Sequence, residues 1–439
     1  VIQNLTKPGQ HVGILGNRKY EIFVSIFSII CSGRVAVPMN TTMNAKQLSH
    51  FSEMADLELI LCENDEEMKE AAAEIHKETG IRTSVIELRM EEAEDWPELN
   101  PPKEDALAMM LFSSGTSGMS KIVMLSQKNL TAEENTTSRG RRRRVSHMPL
   151  PPYHISCIAG TLIYMGMGDE ICFTDSMKYY LRDTEAYRPQ HVILVPAIYN
   201  LLSHRAEDEE AFLRVLRENL IEIWSVGAPP VSREQDPIRQ LNIIILNIYG
   251  LTEVSGSAVR FEPQAPGSAG RVMAYLQLRF ENGEILLKGD SIMLGYYNDP
   301  EQTARVIEDG WFHTGDVGEV DLNGNLYIKG RAKNTIILSN GENVNPEELE
   351  TELCKSPWIS EAFVYAKNDR IFASVVNRKL LLELEEDEKQ KIRISIENAR
   401  KEINRELPPH QKISEMKIRE KEFEKTSTGK LKRCRENEE

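Results

Sequence analysis

Residues 111–130, LFSSGTSGMSKIVMLSQKNL, run from an apolar stretch into a cluster of small and hydroxyl residues that closes on a lysine. Small residues let backbone N–H groups approach phosphate oxygens, hydroxyls donate further hydrogen bonds, and Lys121 adds a cation. Ser113, Ser114, Gly115, Thr116, Ser117, Gly118 and Lys121 together suit a triphosphate. The spacing is not that of a Walker loop, G-x-x-x-x-G-K-[ST]. Alone, the segment reads equally well as an ordinary turn.

Further segments carry complementary groups. NIYGLTE, residues 247–253, follows an apolar run with an aromatic ring, a hydroxyl and a carboxylate, the types needed to stack a base, contact a phosphate and hold magnesium. GWFHTGD, residues 310–316, sets Asp316 after a tight glycine turn, and a carboxylate can accept both hydroxyls of a ribose. EKTSTGKLKR, residues 424–433, again puts a lysine, Lys430, behind small residues. Each segment taken singly also fits a surface turn.

Elements able to hold these groups recur along the chain. HVGIL, VAVPM, LELILC, ALAMMLFSS, VILVP, IEIWSV and NIIILNIYG alternate with helical patterns between Val12 and about Val320. Most are continuous apolar runs, the mark of strands buried on both faces, so the expected fold is α/β with mostly parallel sheets flanked by helices. Polar residues cluster where strands end, and open α/β sheets bind ligands at those carboxyl edges. Beyond Gly330 the texture changes to two short strands, EAFVYA and IFASVV, a charged helical stretch and MKIREKEF. This predicts a large domain over residues 1–331 and a small α+β domain over 332–439. The run LLLELEEDEKQK reads as a solvated helix face.

Composition narrows the class. With 439 residues and 41% hydrophobic content, the chain can bury more than one core. A net charge of -15 argues against general attraction to nucleic acid or anionic lipid. The scattered cysteines, Cys31, Cys62, Cys157, Cys172, Cys354 and Cys434, form no C-x-x-C pair and read as reduced thiols in a cytoplasmic protein. Residues 22–31 are too short an apolar run for a membrane span and predict a buried helix. The opening VIQNLTKPGQHVGILG resembles the middle of a domain, so the N-terminal part is expected to be incomplete.

The four segments, in this order, resemble the signature motifs of the adenylate-forming (AMP-binding) superfamily, which includes acyl-CoA synthetases, nonribosomal peptide adenylation domains and firefly luciferase. VGAPP at 226–230, GEILLKGDSIMLGYY at 283–297 and GRAKNTIILSNGENVNPEELE at 330–350 extend the likeness, which is closest in texture to bacterial fatty-acyl CoA ligases. The resemblance implies that residues 113–121 embrace the β- and γ-phosphates, and that Gly227, Ala228, Pro229, Asn247, Tyr249 and Gly250 enclose the nucleotide. It further implies ribose contacts from Asp316 and Arg331, an α-phosphate contact from Thr252, and magnesium at Glu253. Lys333 falls at the family's hinge, and Gly341 faces the thiol of CoA after the small domain swings. Lys430 matches the lysine that bridges the substrate carboxylate and the α-phosphate. The implied reaction uses ATP, Mg²⁺, a carboxylic acid and CoA.

Some positions depart from the pattern: Ser120 where proline is usual, Ile122 where glycine is usual, and Val226 where a second glycine is common. Residues 131–156 are shorter than their counterpart. His154 matches a histidine frequent in acyl- and aryl-CoA ligases, which points to a simple organic acid; an isolated histidine beside prolines is otherwise structural. RGRRRR, residues 139–144, could meet the CoA 3′-phosphate, an acidic carrier protein or nucleic acid, although most such runs are solvated loops. An acyl carrier protein as acceptor, a noncatalytic nucleotide-binding scaffold and a nucleic-acid-binding module are the competing readings.

Overall fold

The computed structural model describes residues 5–17, 19–87, 101–113, 121–132, 143–227, 236–260, 262–339, 342–381, 384–425 and 431–433. Strands β1 (His11–Leu15), β2 (Val35–Pro38), β3 (Leu57–Cys62), β4 (Arg82–Val85) and β5 (Leu107–Ser113) form a parallel array in the order β5-β2-β1-β3-β4. Helices Tyr20–Cys31, Ala45–Met54 and Glu66–Thr79 fill the crossovers. Successive strand residues enter different cores: Val12 and Ile14 lie in one, Leu15, Val35 and Val37 in another. With both faces covered, the strands need no polar side, which explains their continuous apolar texture.

The helix Tyr20–Cys31 buries Ile22, Phe23, Ile26, Ile29 and Ile30, as the apolar run predicts. Among the described residues, no helix is long and apolar enough to cross a membrane. The second sheet is parallel throughout, with β7 (Val145–Met148), β8 (Glu170–Phe173), β9 (His191–Leu194), β10 (Glu222–Val226) and β11 (Ile244–Ile248) in the order β11-β10-β9-β7-β8.

Two features differ from the sequence expectation. β6 (Lys121–Ser126) turns back antiparallel on β5, so that Ser113 faces Lys121 at the carboxyl edge of the first sheet. Parallel strands also stop well before Val320: Leu276–Glu281, Glu284–Gly289, Trp311–Val320 and Leu326–Arg331 form an antiparallel sheet. Its first hairpin turns at Asn282 and Gly283, both with positive φ, the pair that a two-residue turn favours.

A separate core lies C-terminal to this sheet, with Leu338, Val344, Leu349, Val364, Ala373 and Ile413 buried together. Glu361–Lys367 pairs antiparallel with Arg370–Val376, and Ile413–Ile418 returns parallel to the latter after the helix Glu386–Glu406. That helix is charged on its outer face and buries Ile392, Ile396 and Ala399 on the inner one.

Asn129 ties the first sheet to the loop ahead of the strand Gly295–Tyr296. Ser126 and Asn129 form a capping box at the end of β6, and the Asn129 Nδ2 donates to the carbonyls of Asp290 (2.7 Å) and Ile292 (2.9 Å). Asn129→Ala leaves both acceptors without this donor and opens the cap. The unfolding free energy from urea titration is expected to drop by about 1–3 kcal/mol.

Candidate active site

The site gathers at strand ends. β11 is the outer strand of its sheet, and the Gln264 amide takes the place of a neighbour at Asn247. The Asn247 N–H donates to Gln264 Oε1 (2.8 Å), and Gln264 Nε2 donates to the Asn247 carbonyl (2.9 Å). Past Tyr249 the chain pairs Gly250–Leu251 with Gly256–Ser257. A Cβ on Gly250 would lie 1.9 Å from the Gly256 carbonyl oxygen, so only glycine fits this approach. The following 3₁₀ turn, Thr252–Val254, presents Thr252 and Glu253, both half-buried.

Asp316 is the buried centre of one cluster. Its Oδ2 accepts from the Tyr249 hydroxyl at 2.7 Å, its Oδ1 faces Arg331 Nε at 2.9 Å, and its backbone N–H donates to Thr314 Oγ1 at 3.0 Å. Arg331 also donates through Nη1 to the Thr314 carbonyl at 3.0 Å. Asp316 and Arg331 face each other across antiparallel strands. The turn at Asp309 and Gly310 lies before the strand Trp311–Val320, so Asp316 sits inside a long strand rather than on the turn itself. Burial and then the Asp316 charge hold the Tyr249 hydroxyl well above the usual tyrosine value, which keeps it a donor.

A second cluster joins Lys121 and Glu253 through Tyr296. The Lys121 Nζ stands 4.6 Å from the Tyr296 ring centroid, and the Tyr296 hydroxyl donates to Glu253 Oε1 at 3.0 Å. Burial and then Glu253 raise this hydroxyl far above its ordinary value. Lys333, on the 3₁₀ turn Ala332–Asn334, is pushed below the usual lysine value by burial and by the positive charges of Arg331 and Lys121, against the pull of Glu347. Arg331 and Lys121 thus lie near enough for their charges to act on Lys333.

Arg433 anchors the chain that follows Lys430. Its Nη2 reaches both Glu350 oxygens at 2.8 Å, its Nε lies 3.3 Å from Glu347 Oε1, and its Nη1 donates to the Val364 carbonyl at 3.1 Å. Burial lifts the Glu350 carboxyl to about 7, while Arg433 and the Val364 amide pull it down. Glu347 also accepts from Asn334 at 2.6 Å, so one carboxylate touches both the segment beside Lys333 and Arg433.

The structure brings Ser113, Lys121, Tyr249, Gly250, Thr252, Glu253, Asp316, Arg331 and Lys333 to these neighbouring edges. Gly227 follows β10 with positive φ. His154 is the N-cap residue of the helix Ile155–Gly166, its ring 4.8 Å from that of Tyr153. Ser114, Gly115, Thr116, Ser117, Gly118, Ala228, Pro229, Gly341 and Lys430 lie outside the described residues, as do residues 139–142 of the arginine run. Tyr296, Gln264 and Arg433 carry interactions that the motif reading gave no role. Tyr296 and Arg433 lie inside quoted motifs, whereas Gln264 has no local signal.

Open α/β sheets bind ligands at the carboxyl edges of their strands, and these cations and carboxylates gather at such edges. The profile of the AMP-binding enzyme family matches residues 3–297, and that of the AMP-binding enzyme C-terminal domain matches residues 333–439. The chain belongs to the AMP-binding enzyme family. It is 27% identical to the 2-succinylbenzoate–CoA ligase of Bacillus velezensis over 86% of this chain and 78% of that protein. It is 26% identical to a long-chain-fatty-acid–CoA ligase of Mycobacterium bovis over 81% of this chain and 71% of that one. The crystal structure of an anthranilate CoA ligase in complex with anthranoyl-AMP matches with a TM-score of 0.83 at 18% identity, covering 98% of this chain and 88% of that one, a likeness of fold.

The Asp316 cluster yields a graded prediction. Asp316→Ala strands the Tyr249 and Arg331 donors and is expected to lower stability by about 2–3 kcal/mol in urea unfolding, whereas Asp316→Asn keeps acceptor capacity and costs less. Equal losses would show that a neutral acceptor cannot replace the charged carboxylate at this position.

Proposed function

We propose that the protein is an AMP-forming acid–thiol ligase: it joins a carboxylic acid to the AMP of ATP with release of pyrophosphate, then passes the acyl group to CoA. The observation that carries this reading is the pair of clusters at the strand ends, Lys121–Tyr296–Glu253 and Tyr249–Asp316–Arg331. In the first step a carboxylate oxygen attacks the α-phosphorus and pyrophosphate leaves. In the second the CoA sulfur attacks the acyl carbonyl and AMP leaves. Both partners of the first step are anions, so their approach needs fixed positive charge.

Lys121 and the loop 113–121 would hold the β- and γ-phosphates, with Thr252 at the α-phosphate. Asp316, whose carboxylate already meets Tyr249 and Arg331, would accept the ribose hydroxyls. Gly227, Ala228, Pro229, Asn247 and Tyr249 would enclose the adenine, and His154 would line the acid pocket. Magnesium fits this donor set: Glu253 offers a half-buried carboxylate that forms no salt bridge among the described residues. Those residues hold no cluster of three or more His, Cys, Asp or Glu that could bind a metal, in keeping with an ion held by one carboxylate plus substrate phosphates. When bound, it would neutralise charge on the phosphates.

Lys430 would bridge the acid and the α-phosphate, and residues 332–439 would swing about Lys333 to bring Gly341 toward the thiol. The substrate is read as a fatty acid, on the resemblance to fatty-acyl CoA ligases; the two relatives act by name on succinylbenzoate and long-chain fatty acids, so a carboxylic acid is common to both. The described cysteines form no disulfides among themselves, which suits a reducing compartment such as the cytoplasm. An acyl carrier protein as acceptor shares every adenylation residue and is separated by product: CoA thioester from ATP, acid and CoA supports the first reading, and acyl transfer to a carrier protein alone the second.

Lys430→Ala is expected to slow adenylate formation by about 10²- to 10³-fold, while thioester formation from supplied acyl-adenylate is comparatively spared. Quenched-flow measurement of the two half-reactions checks this. Equal loss in both would contradict the swing.

A further inference from the structure

Tyr296 is 5% exposed and sits where a phenylalanine would fill the same space, yet its hydroxyl is spent on Glu253 and its ring on Lys121. The backbone around it is held from two sides. The strand Gly295–Tyr296 pairs with Met124 and Val123 of β6, and the Leu294 and Tyr297 N–H groups donate to the Met124 and Ile122 carbonyls at 2.9 and 2.8 Å. The Met293 N–H donates to the Glu253 carbonyl at 2.9 Å, and the Tyr296 N–H donates to Thr303 Oγ1 at 2.8 Å. One short segment thus fixes the backbones of β6 and of the Glu253 turn, and its tyrosine fixes their side chains.

We propose that Tyr296 is a positioning residue for the metal–triphosphate site, its hydroxyl aiming the Glu253 carboxylate and its ring seating the Lys121 ammonium. This rests on the ligase reading, in which Glu253 takes the magnesium ion and Lys121 the terminal phosphates. A hydrogen bond to one carboxylate oxygen leaves the other turned toward the ion and limits rotation of the side chain. An ammonium over a tyrosine face is attracted by the ring, which favours one lysine rotamer. The ring works for the nucleotide and the hydroxyl for the metal, so the two contributions separate by substitution.

Calorimetric titration of a non-hydrolysable ATP analogue, repeated across a range of magnesium concentrations, reads both. Tyr296→Phe keeps the ring and is expected to raise the magnesium concentration needed for half-maximal tightening by about 10- to 100-fold, the usual loss when a metal ligand's outer partner is removed, with affinity at saturating magnesium little changed. Tyr296→Leu removes the ring as well and should weaken binding at every magnesium level. In a Glu253→Gln background, Tyr296→Phe should have no further effect on the magnesium curve, because the carboxylate it aims is gone.

A Tyr296→Phe curve that superimposes on the wild type would overturn the proposal. So would an equal loss at all magnesium concentrations, or an undiminished effect in the Glu253→Gln background. A wild-type protein whose analogue binding is indifferent to magnesium would instead sink the ligase reading itself, and this proposal with it.

Discussion

One buried carboxylate joins parts of the molecule that the chain keeps far apart. Asp316 lies on the antiparallel sheet, Tyr249 follows the outer strand of the second parallel sheet, and Arg331 ends the strand that leads into the C-terminal core. Both donors converge on a residue that is only 5% exposed. A buried carboxylate is tolerated only when charge and hydrogen bonds compensate it, so the three pieces must be in place together. The order of the site follows from that requirement.

The same logic runs through the second cluster, where Tyr296 stands between an ammonium and a carboxylate. Two tyrosine hydroxyls are held protonated, each by burial and a neighbouring carboxylate, so both remain donors. Against these, Lys121, Arg331 and Lys333 accumulate positive charge at the junction of the large body and the C-terminal segment. Carboxylates stand close by: Asp316 pairs with Arg331, Glu347 acts on Lys333, and Tyr296 links Lys121 to Glu253. Glu347 extends the connection by touching both Asn334 and Arg433, so the segment beside Lys333 and the residues after Lys430 share a partner.

Much of this architecture was legible in the sequence because burial on both faces leaves an unmistakable texture: HVGIL, LELILC and IEIWSV are strands at the expected places. The antiparallel sheet after residue 276 was not, although Asn282-Gly283 is a hairpin signal that the run of apolar strands overshadowed. Asp316 was placed after the Gly310 turn, where it lies, although the spacing does not reveal that a long strand carries it. Gln264, Tyr296 and Arg433 were unreadable as site residues for a common reason. Each acts through a partner distant in sequence, and pattern reports neighbours along the chain, not across sheets.

The account stands on the claim that these groups serve adenylate formation. Pyrophosphate exchange tests it most directly: the protein is mixed with ATP, magnesium, labelled pyrophosphate and each member of a panel of aliphatic and aromatic carboxylic acids. Label is predicted to enter ATP only when a suitable acid is present. Exchange that is absent with every acid, or that proceeds equally without one, would contradict it.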